Sequence, residues 1–403
     1  MVLVHDIRKL AVVRHAKSVV RLQEGPLVSR ILMSKATVGR EEEEALIRAV
    51  RSGWVTPLGP EVDAFESEIC ERVGAKYAVA LSSGTAALHL ALLELGARPG
   101  ACVVTSSMTF AATANAVAYT GADLVFVDAQ TSDGNVDPHL MLEAVETLQK
   151  EGREVVAALP VDLFGRCVDY DILEPGLNRL GVPMLCDAAE SLGATYKGTA
   201  AGSRGVAAAF SFNGNKIMTT SGGGMLVSND ASLIDRARYL STQARQGAAW
   251  YEHTEVGFNY RMSNILAAIG RAQLSKLDLF VARRREIRVM YRDAFSDFEG
   301  VRLLGSTEVA DGTAENCWLT AIDLGSEHGV SATELVEYLD GNGIEGRHLW
   351  KPMHLQPVWK SARCFVNGSS EDLFNRGVTL PSGYGLTDDE INRVIEVVCR
   401  KLQ

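Results

Sequence analysis

The sequence predicts an α/β protein, with a mixed, mostly parallel sheet sandwiched by helices and a smaller C-terminal α+β domain. Three observations lead there. Short apolar segments alternate with helical ones from residue 77 to residue 187. Those apolar segments are hydrophobic throughout rather than at every second residue, as strands covered on both faces must be. From about residue 285 the alternation gives way to a different texture. A repeated β-α order implies parallel neighbours joined by right-handed crossovers.

The elements follow in order. Glu41–Glu44, then Ala45-Leu46-Ile47-Arg48-Ala49-Val50-Arg51, predicts a helix with acids in its first turn, bases in its last and Gly53 at its end, as the helix dipole favours. A second helix is expected over 60–73. Strands are expected at 77–81, 101–105, 123–127, 155–160 and 183–187, and helices at 85–95, 111–119, 138–149 and 170–180. Two more apolar strands, 207–212 and 224–228, precede one long helical region, 264–294. Segment 317–323 and helices at 332–342 and 388–402 suggest the smaller domain. The expected division is a large domain over 31–284 and a small one over 285–403. Residues 1–30 carry Arg8, Lys9, Arg14, Lys17, Arg21 and Arg30 in an acidic chain. They lack the apolar core and cleavage site of a secretory signal and are expected to form a flexible extension.

Charge and composition exclude several classes. Fifty acidic against 40 basic side chains give a formal net charge of −10. Phosphate contacts need a basic surface, so neither nucleic acid nor an anionic membrane is an expected partner. The richest apolar stretch, 101–122, is interrupted by Thr, Ser and Asn, and no run approaches the roughly 20 residues needed to cross a bilayer. The seven cysteines (Cys70, Cys102, Cys167, Cys186, Cys317, Cys364 and Cys399) are scattered, with no pair at C-x-x-C spacing. Neither a disulfide framework nor a metal site is expected, and a reducing cytoplasm suits the chain. Cys102 and Cys186 lie in apolar runs and read as core residues.

Four segments carry chemistry. Lys216 lies in a polar loop, Ser211-Phe212-Asn213-Gly214-Asn215-Lys216, before Ser221-Gly222-Gly223-Gly224. A lysine in a loop can simply be solvated. Here small and hydroxylic neighbours let backbone approach a ligand, and the amine could form a Schiff base with a carbonyl. The apolar run before Asp187-Ala188-Ala189-Glu190 delivers Asp187 to the carboxyl end of a strand, where open α/β sheets bind ligands. Such an aspartate can merely cap a helix; it can also pair with a pyridinium nitrogen. Ser82-Ser83-Gly84-Thr85 opens a helix after a strand and offers backbone amides to a phosphate. Met108-Thr109-Phe110 ends another strand, with Phe110 either a core aromatic or a platform for a planar ring.

The order of these motifs, together with Gly257-Phe258-Asn259-Tyr260-Arg261-Met262-Ser263, resembles the pyridoxal-phosphate sugar aminotransferases of the DegT–DnrJ–StrS group from about residue 33 to the C-terminus. The resemblance implies the fold type I architecture, with a seven-stranded central sheet, and a homodimer with shared active sites. It implies that Lys216 holds the cofactor covalently and shuttles protons. Asp187 would pair with the ring nitrogen and Phe110 would stack on the ring. Gly84, Thr85 and Ser211 would bind the phosphate, and Asn259 of the neighbouring subunit would complete that site. Glu190 stands where many relatives carry Gln or His, so the resemblance implies a cofactor contact there without specifying it. Relatives with histidine in place of the lysine are dehydratases; Lys216 points to transamination.

Segments 213–224, 241–245 and 350–354 look most like enzymes that aminate carbon 4 of a UDP-linked 4-keto-6-deoxy-N-acetylhexosamine, as in bacillosamine-type sugars. Arg245, Lys351 and His354 are then candidates for substrate contact, and L-glutamate is the implied amino donor. A carbon-3 keto-sugar, a cyclitol ketone, or a non-catalytic pyridoxal-phosphate-binding regulator remain open alternatives.

Overall fold

A computed structural model describes residues 30–403; apart from Arg30, the extension expected over 1–30 lies outside the described residues. The strands, in chain order, are β1 (Tyr77–Leu81), β2 (Ala101–Ser106), β3 (Asp123–Val127), β4 (Glu154–Leu159), β5 (Leu185–Asp187), a small hairpin of β6 (Thr195–Tyr196) and β7 (Thr199–Ala200), β8 (Ala207–Ser211), β9 (Gly224–Ser228), β10 (Arg302–Leu303), β11 (Thr320–Asp323), β12 (Arg347–His348), β13 (Arg363–Phe365) and β14 (Gly377–Leu380). The helices are α1 (Arg40–Arg51), α2 (Pro60–Val73), α3 (Gly84–Glu94), α4 (Ala111–Thr120), α5 (Pro138–Lys150), α6 (Tyr170–Leu180), α7 (Ala231–Ser241), α8 (Asn264–Leu274), α9 (Leu277–Phe295), α10 (Ala332–Gly341), α11 (Ser369–Arg376) and α12 (Asp388–Leu402).

Two hydrogen-bonded sets, β1-β9-β8-β5 and β13-β3-β2-β4, meet through parallel bridges Ala158↔Met184 and Val161↔Asp187. The continuous order is therefore β1-β9-β8-β5-β4-β2-β3. These are the seven strands expected, and β13 adds an eighth in parallel at the edge of β3. Only β9 runs against its neighbours. Along β1, Ala78 and Ala80 enter one apolar cluster while Val79 and Leu81 enter the other. This double burial explains why the strand reads as continuously apolar. One face packs Val62 and Phe65 of α2, Met141 and Leu148 of α5, and Leu173 of α6. The other packs Leu88, Leu90 and Leu92 of α3, Val117 of α4 and Ile234 of α7.

A second, antiparallel sheet, β10-β11-β14-β12, buries Ile322, Val378 and Leu380 against Leu335 of α10 and Val394 and Val398 of α12. The expected division at residue 285 falls inside a single helix, α9, whose Ile287, Tyr291 and Phe295 join this second core. Ile31 packs there as well, bridging Ile344, while β13 returns the chain to the large sheet. No helix among the described residues is long and apolar enough to cross a membrane.

Several expected boundaries differ by a residue or two, and two elements differ more. The single helical region 264–294 is two helices, α8 and α9, because Lys276 (φ −107°, ψ 2°) leaves helical geometry between them. The segment 317–323 becomes a strand only at Thr320, since Cys317 adopts a left-handed φ of 55° that no strand accommodates.

One close approach positions the ligand-binding end of the sheet. Gly224 pairs with Leu81, and a Cβ at residue 224 would lie 2.4 Å from the Gly84 nitrogen and 2.4 Å from the Ser83 carbonyl carbon. The turn from β1 into α3 can sit where it does only because residue 224 lacks a side chain. Gly224→Ala should force that turn outward and destabilise the fold by about 1–3 kcal/mol, measured as a lowered denaturation midpoint with an unchanged m-value; an unaltered midpoint would contradict the packing described.

Candidate active site

The carboxyl ends of β1, β2, β5 and β8 open on one cavity of about 370 Å³, lined among others by Gly84, Phe110, Asp187, Glu190, Ser211 and Lys216. This is the end at which a parallel sheet presents free backbone groups and helix N-termini. The structure thus brings together seven of the sequence-selected residues, Thr85 being the seventh.

Asp187 is fully enclosed. Its carboxylate accepts the Thr113 hydroxyl at 2.7 Å and the Ala189 N–H at 3.1 Å. Thr113 in turn shares a 2.7 Å hydrogen bond with Thr109. Both threonines come from the β2–α4 corner, so one element orients the aspartate delivered by another. Burial pushes the Asp187 carboxyl up, and Thr113, the Ala189 N–H and the charge of Lys216 offset this only in part. A buried carboxylate in that condition lacks a close counter-charge, and a protonated ring nitrogen would supply one.

Lys216 projects into the cavity from the loop after β8. Its Nζ lies 3.3 Å from Glu190 Oε1 and 4.1 Å from the centre of the Trp318 ring. Glu190 is itself buried, and its Oε2 accepts the Phe164 N–H at 2.7 Å. Burial pushes the Glu190 carboxyl up, while Lys216 and the Phe164 N–H pull it back. Phe164 donates that bond from a left-handed conformation, φ 53°, which is uncommon for a bulky residue and marks a turn shaped around the glutamate.

The wall of the cavity best suited to an anion is built from backbone. Ser83 caps α3, its hydroxyl accepting the Ala86 N–H at 3.0 Å. Gly84 and Thr85 open the helix, where amides have no intrahelical acceptor and the dipole favours an anion. A Cβ on Gly84 would meet the Ser211 Cβ at 3.0 Å, so the glycine keeps amides and the Ser211 hydroxyl on one concave wall. An anion cradle, a primary amine and a buried carboxylate in one cavity are the donor set that pyridoxal phosphate requires, and the residues present fit that group.

Phe110 is the N-cap residue of α4. Its exposed ring lies edge-on to Trp350, centroids 5.6 Å apart. Four other candidates do not line the cavity of their own chain. Asn259 is exposed, bridged to Thr242. Arg245 lies 4.3 Å over the Tyr251 ring in an exposed loop. Lys351 is exposed beside Trp350, and His354 Nδ1 is held by the Ser107 hydroxyl at 2.6 Å. Sequence reasoning missed Thr113 and Trp318, and gave Trp350 no role beyond its place in segment 350–354. Thr113, four residues after Thr109 at the start of a helix, carried a legible spacing signal. Trp318 comes from far along the chain and had none.

Comparison with known proteins identifies the family. Residues 36–399 match the model of the DegT/DnrJ/EryC1/StrS aminotransferase family. The chain is 44% identical to the Bacillus subtilis protein named "Putative pyridoxal phosphate-dependent aminotransferase EpsN", over 92% of this chain and 95% of that one. It is 35% identical to GDP-perosamine synthase of Caulobacter vibrioides, over 91% and 96% respectively. The crystal structure of a DegT DnrJ EryC1 StrS aminotransferase from Brucella abortus superposes with a TM-score of 0.82 at 31% identity, covering 89% of this chain and 95% of that one. Fold, cavity chemistry and relatives converge: the chain belongs to the DegT/DnrJ/EryC1/StrS aminotransferase family and is a pyridoxal-phosphate-dependent sugar aminotransferase.

Proposed function

We propose that the enzyme transfers an amino group from L-glutamate to carbon 4 of a UDP-linked 4-keto-6-deoxy-N-acetylhexosamine, working in the cytoplasm as a homodimer. The observation that carries the site assignment is the meeting of Lys216, Asp187 and the Ser83-Gly84-Thr85 turn in one cavity of about 370 Å³. When bound, pyridoxal phosphate supplies an electron sink that accepts an amino group from one substrate and returns it to another. The chain's residues do the rest. The Gly84 and Thr85 amides and the Ser211 hydroxyl bind the phosphate. Asp187, oriented by Thr113, holds the ring nitrogen protonated, and Phe110 packs on the ring. Lys216 Nζ would hold the cofactor covalently, and its free neutral amine would take a proton from the donor carbon and give it up again. Glu190 would partner the ammonium formed in between.

The substrate reading rests on segments 213–224, 241–245 and 350–354. The 35% identity to GDP-perosamine synthase favours a second reading, a GDP-linked 4-keto-6-deoxyhexose. Lys351 adjoins Trp350, which lines the cavity, and His354 follows in the same segment, so both suit contacts to the sugar or diphosphate at its mouth. Arg245 and Asn259 lie on surface loops, which suits work in a neighbouring subunit's site.

Three outcomes test these readings. Borohydride reduction of the holoenzyme followed by peptide mapping should place the pyridoxyl group on Lys216; an adduct on Lys197 or Lys351 would sink the assignment. Incubation with L-glutamate and a panel of UDP- and GDP-linked keto-sugars, read by mass spectrometry, should yield the aminated UDP-N-acetylhexosamine first, and preferential turnover of a GDP-sugar would select the second reading. For the dimer, Lys216→Ala chains are mixed with Asn259→Asp chains, each inactive alone and shown to exchange subunits. If Asn259 serves its neighbour, each mixed dimer has one site with both lesions and one with neither, so about half of wild-type activity returns. No recovery would mean that Asn259 serves its own chain.

A further inference from the structure

Trp318 is among the largest fully buried side chains, and it belongs to the second domain, just before β11. Its ring centre lies 4.1 Å from Lys216 Nζ, within the range at which a tryptophan face attracts an ammonium. Its indole N–H donates to the Asn215 carbonyl at 2.7 Å, the residue immediately before the lysine. The same carbonyl accepts the Ser34 hydroxyl at 3.0 Å. Ser34 Oγ accepts from Arg284 Nη2 at 3.1 Å, and Arg284 Nη1 donates to the Trp318 carbonyl at 2.7 Å. Arg284, Trp318, Asn215 and Ser34 thus close a ring of hydrogen bonds around the base of the lysine. Four distant parts of the chain contribute to it: the segment before α1, the loop after β8, helix α9 and the approach to β11.

The same short segment also holds the glutamate. The Trp318 N–H donates to Asn316 Oδ1 at 2.8 Å, and Asn316 Nδ2 donates to the carbonyls of Glu190 and Leu192 at 2.7 and 2.9 Å. The Asn316 N–H reaches the Gly165 carbonyl, beside the Phe164 N–H that binds the Glu190 carboxylate. Cys317, in its left-handed conformation, turns the chain so that Asn316 faces the glutamate and Trp318 faces the lysine.

Resting on the assignment of Lys216 above, we propose that Trp318 is the residue that positions the catalytic lysine. Its indole N–H locks the loop that carries Lys216, and its ring holds the free ammonium against Glu190 whenever the amine is not joined to the cofactor. Through Asn316, one segment of the second domain sets the spacing of both partners in the ion pair.

The test uses the full-length enzyme in its pyridoxal phosphate and pyridoxamine phosphate forms. Acetylation of individual lysines by acetic anhydride at one pH is followed by peptide mass spectrometry, with exposed Lys150 as internal reference. In wild type, Lys216 should be protected in the pyridoxal form and slowly acetylated in the pyridoxamine form. Removing the ring in Trp318→Leu should raise the Lys216:Lys150 ratio in the pyridoxamine form about thirtyfold, the equivalent of a desolvated cation–π contact. Trp318→Phe, which keeps a ring but loses the N–H, should raise it less and partly restore the glutamate half-reaction rate relative to Trp318→Leu, with KM for glutamate little changed in either. Should the leucine variant fail to fold, the phenylalanine variant decides alone. An unchanged or lower ratio, with Lys216 still protected in the pyridoxal form, overturns the role of Trp318 and leaves the lysine assignment standing. Loss of protection in the wild-type pyridoxal form overturns both.

Discussion

The site depends on the pairing of β4 with β5. Two four-stranded sets are joined there by short parallel contacts, in which the Asp187 N–H donates to the Pro160 carbonyl and the Asp162 N–H donates to the Asp187 carbonyl, each at 3.0 Å. These bonds make one sheet of two halves, and they also fix the last residue of β5 at the floor of the cavity. The same crossing places the 160–165 turn beside 187–191, so that Phe164 reaches Glu190 and Ser191 reaches Asp162 at 2.8 Å. A shift at this junction would displace every carboxylate of the site together.

Buried acids cluster around that junction. Asp162 accepts the Tyr170 and Ser191 hydroxyls and the Val168 N–H, yet burial beside Asp187 still pushes its carboxyl up to about 6. Asp187 and Glu190 are pushed up as well. Burying ionisable groups opposes folding unless each finds hydrogen bonds or an opposite charge. Local donors satisfy Asp162, and Lys216 serves Glu190. Asp187 has donors but no cation in direct contact among the described residues, which suits a carboxylate whose counter-charge arrives with a ligand.

The second domain does more than cover the first. Trp318 and Trp350 line the cavity, Asn316 grips the Glu190 segment, and β13 extends the large sheet. Helix α9, through the buried Arg284 upon it, ties both parts to the loop before Lys216. Lys216 is thereby surrounded by groups whose own positions are set by long-range hydrogen bonds.

Much of this was legible without coordinates. Continuous apolar strands at regular intervals determined the parallel sheet, since only double burial demands that pattern. Asp187 at a strand end, the Ser83-Gly84-Thr85 turn and Lys216 among glycines and hydroxyls each follow from local chemistry, so their neighbourhood could be read from spacing. Helix α7 was not among the expected elements, although Asp230 caps it and Leu233, Ile234, Ala237 and Leu240 stand at helical spacing on its buried face. Three-dimensional packing alone decided the rest. The edge strand β13 has three residues and no period to detect. The break between α8 and α9 depends on one dihedral pair at Lys276. Trp318, Asn316 and Arg284 meet Lys216 and Glu190 from far along the chain, through contacts that no local pattern encodes. Local backbone preferences and burial determine which residues end strands and open helices; only the folded chain decides which distant side chains then face one another.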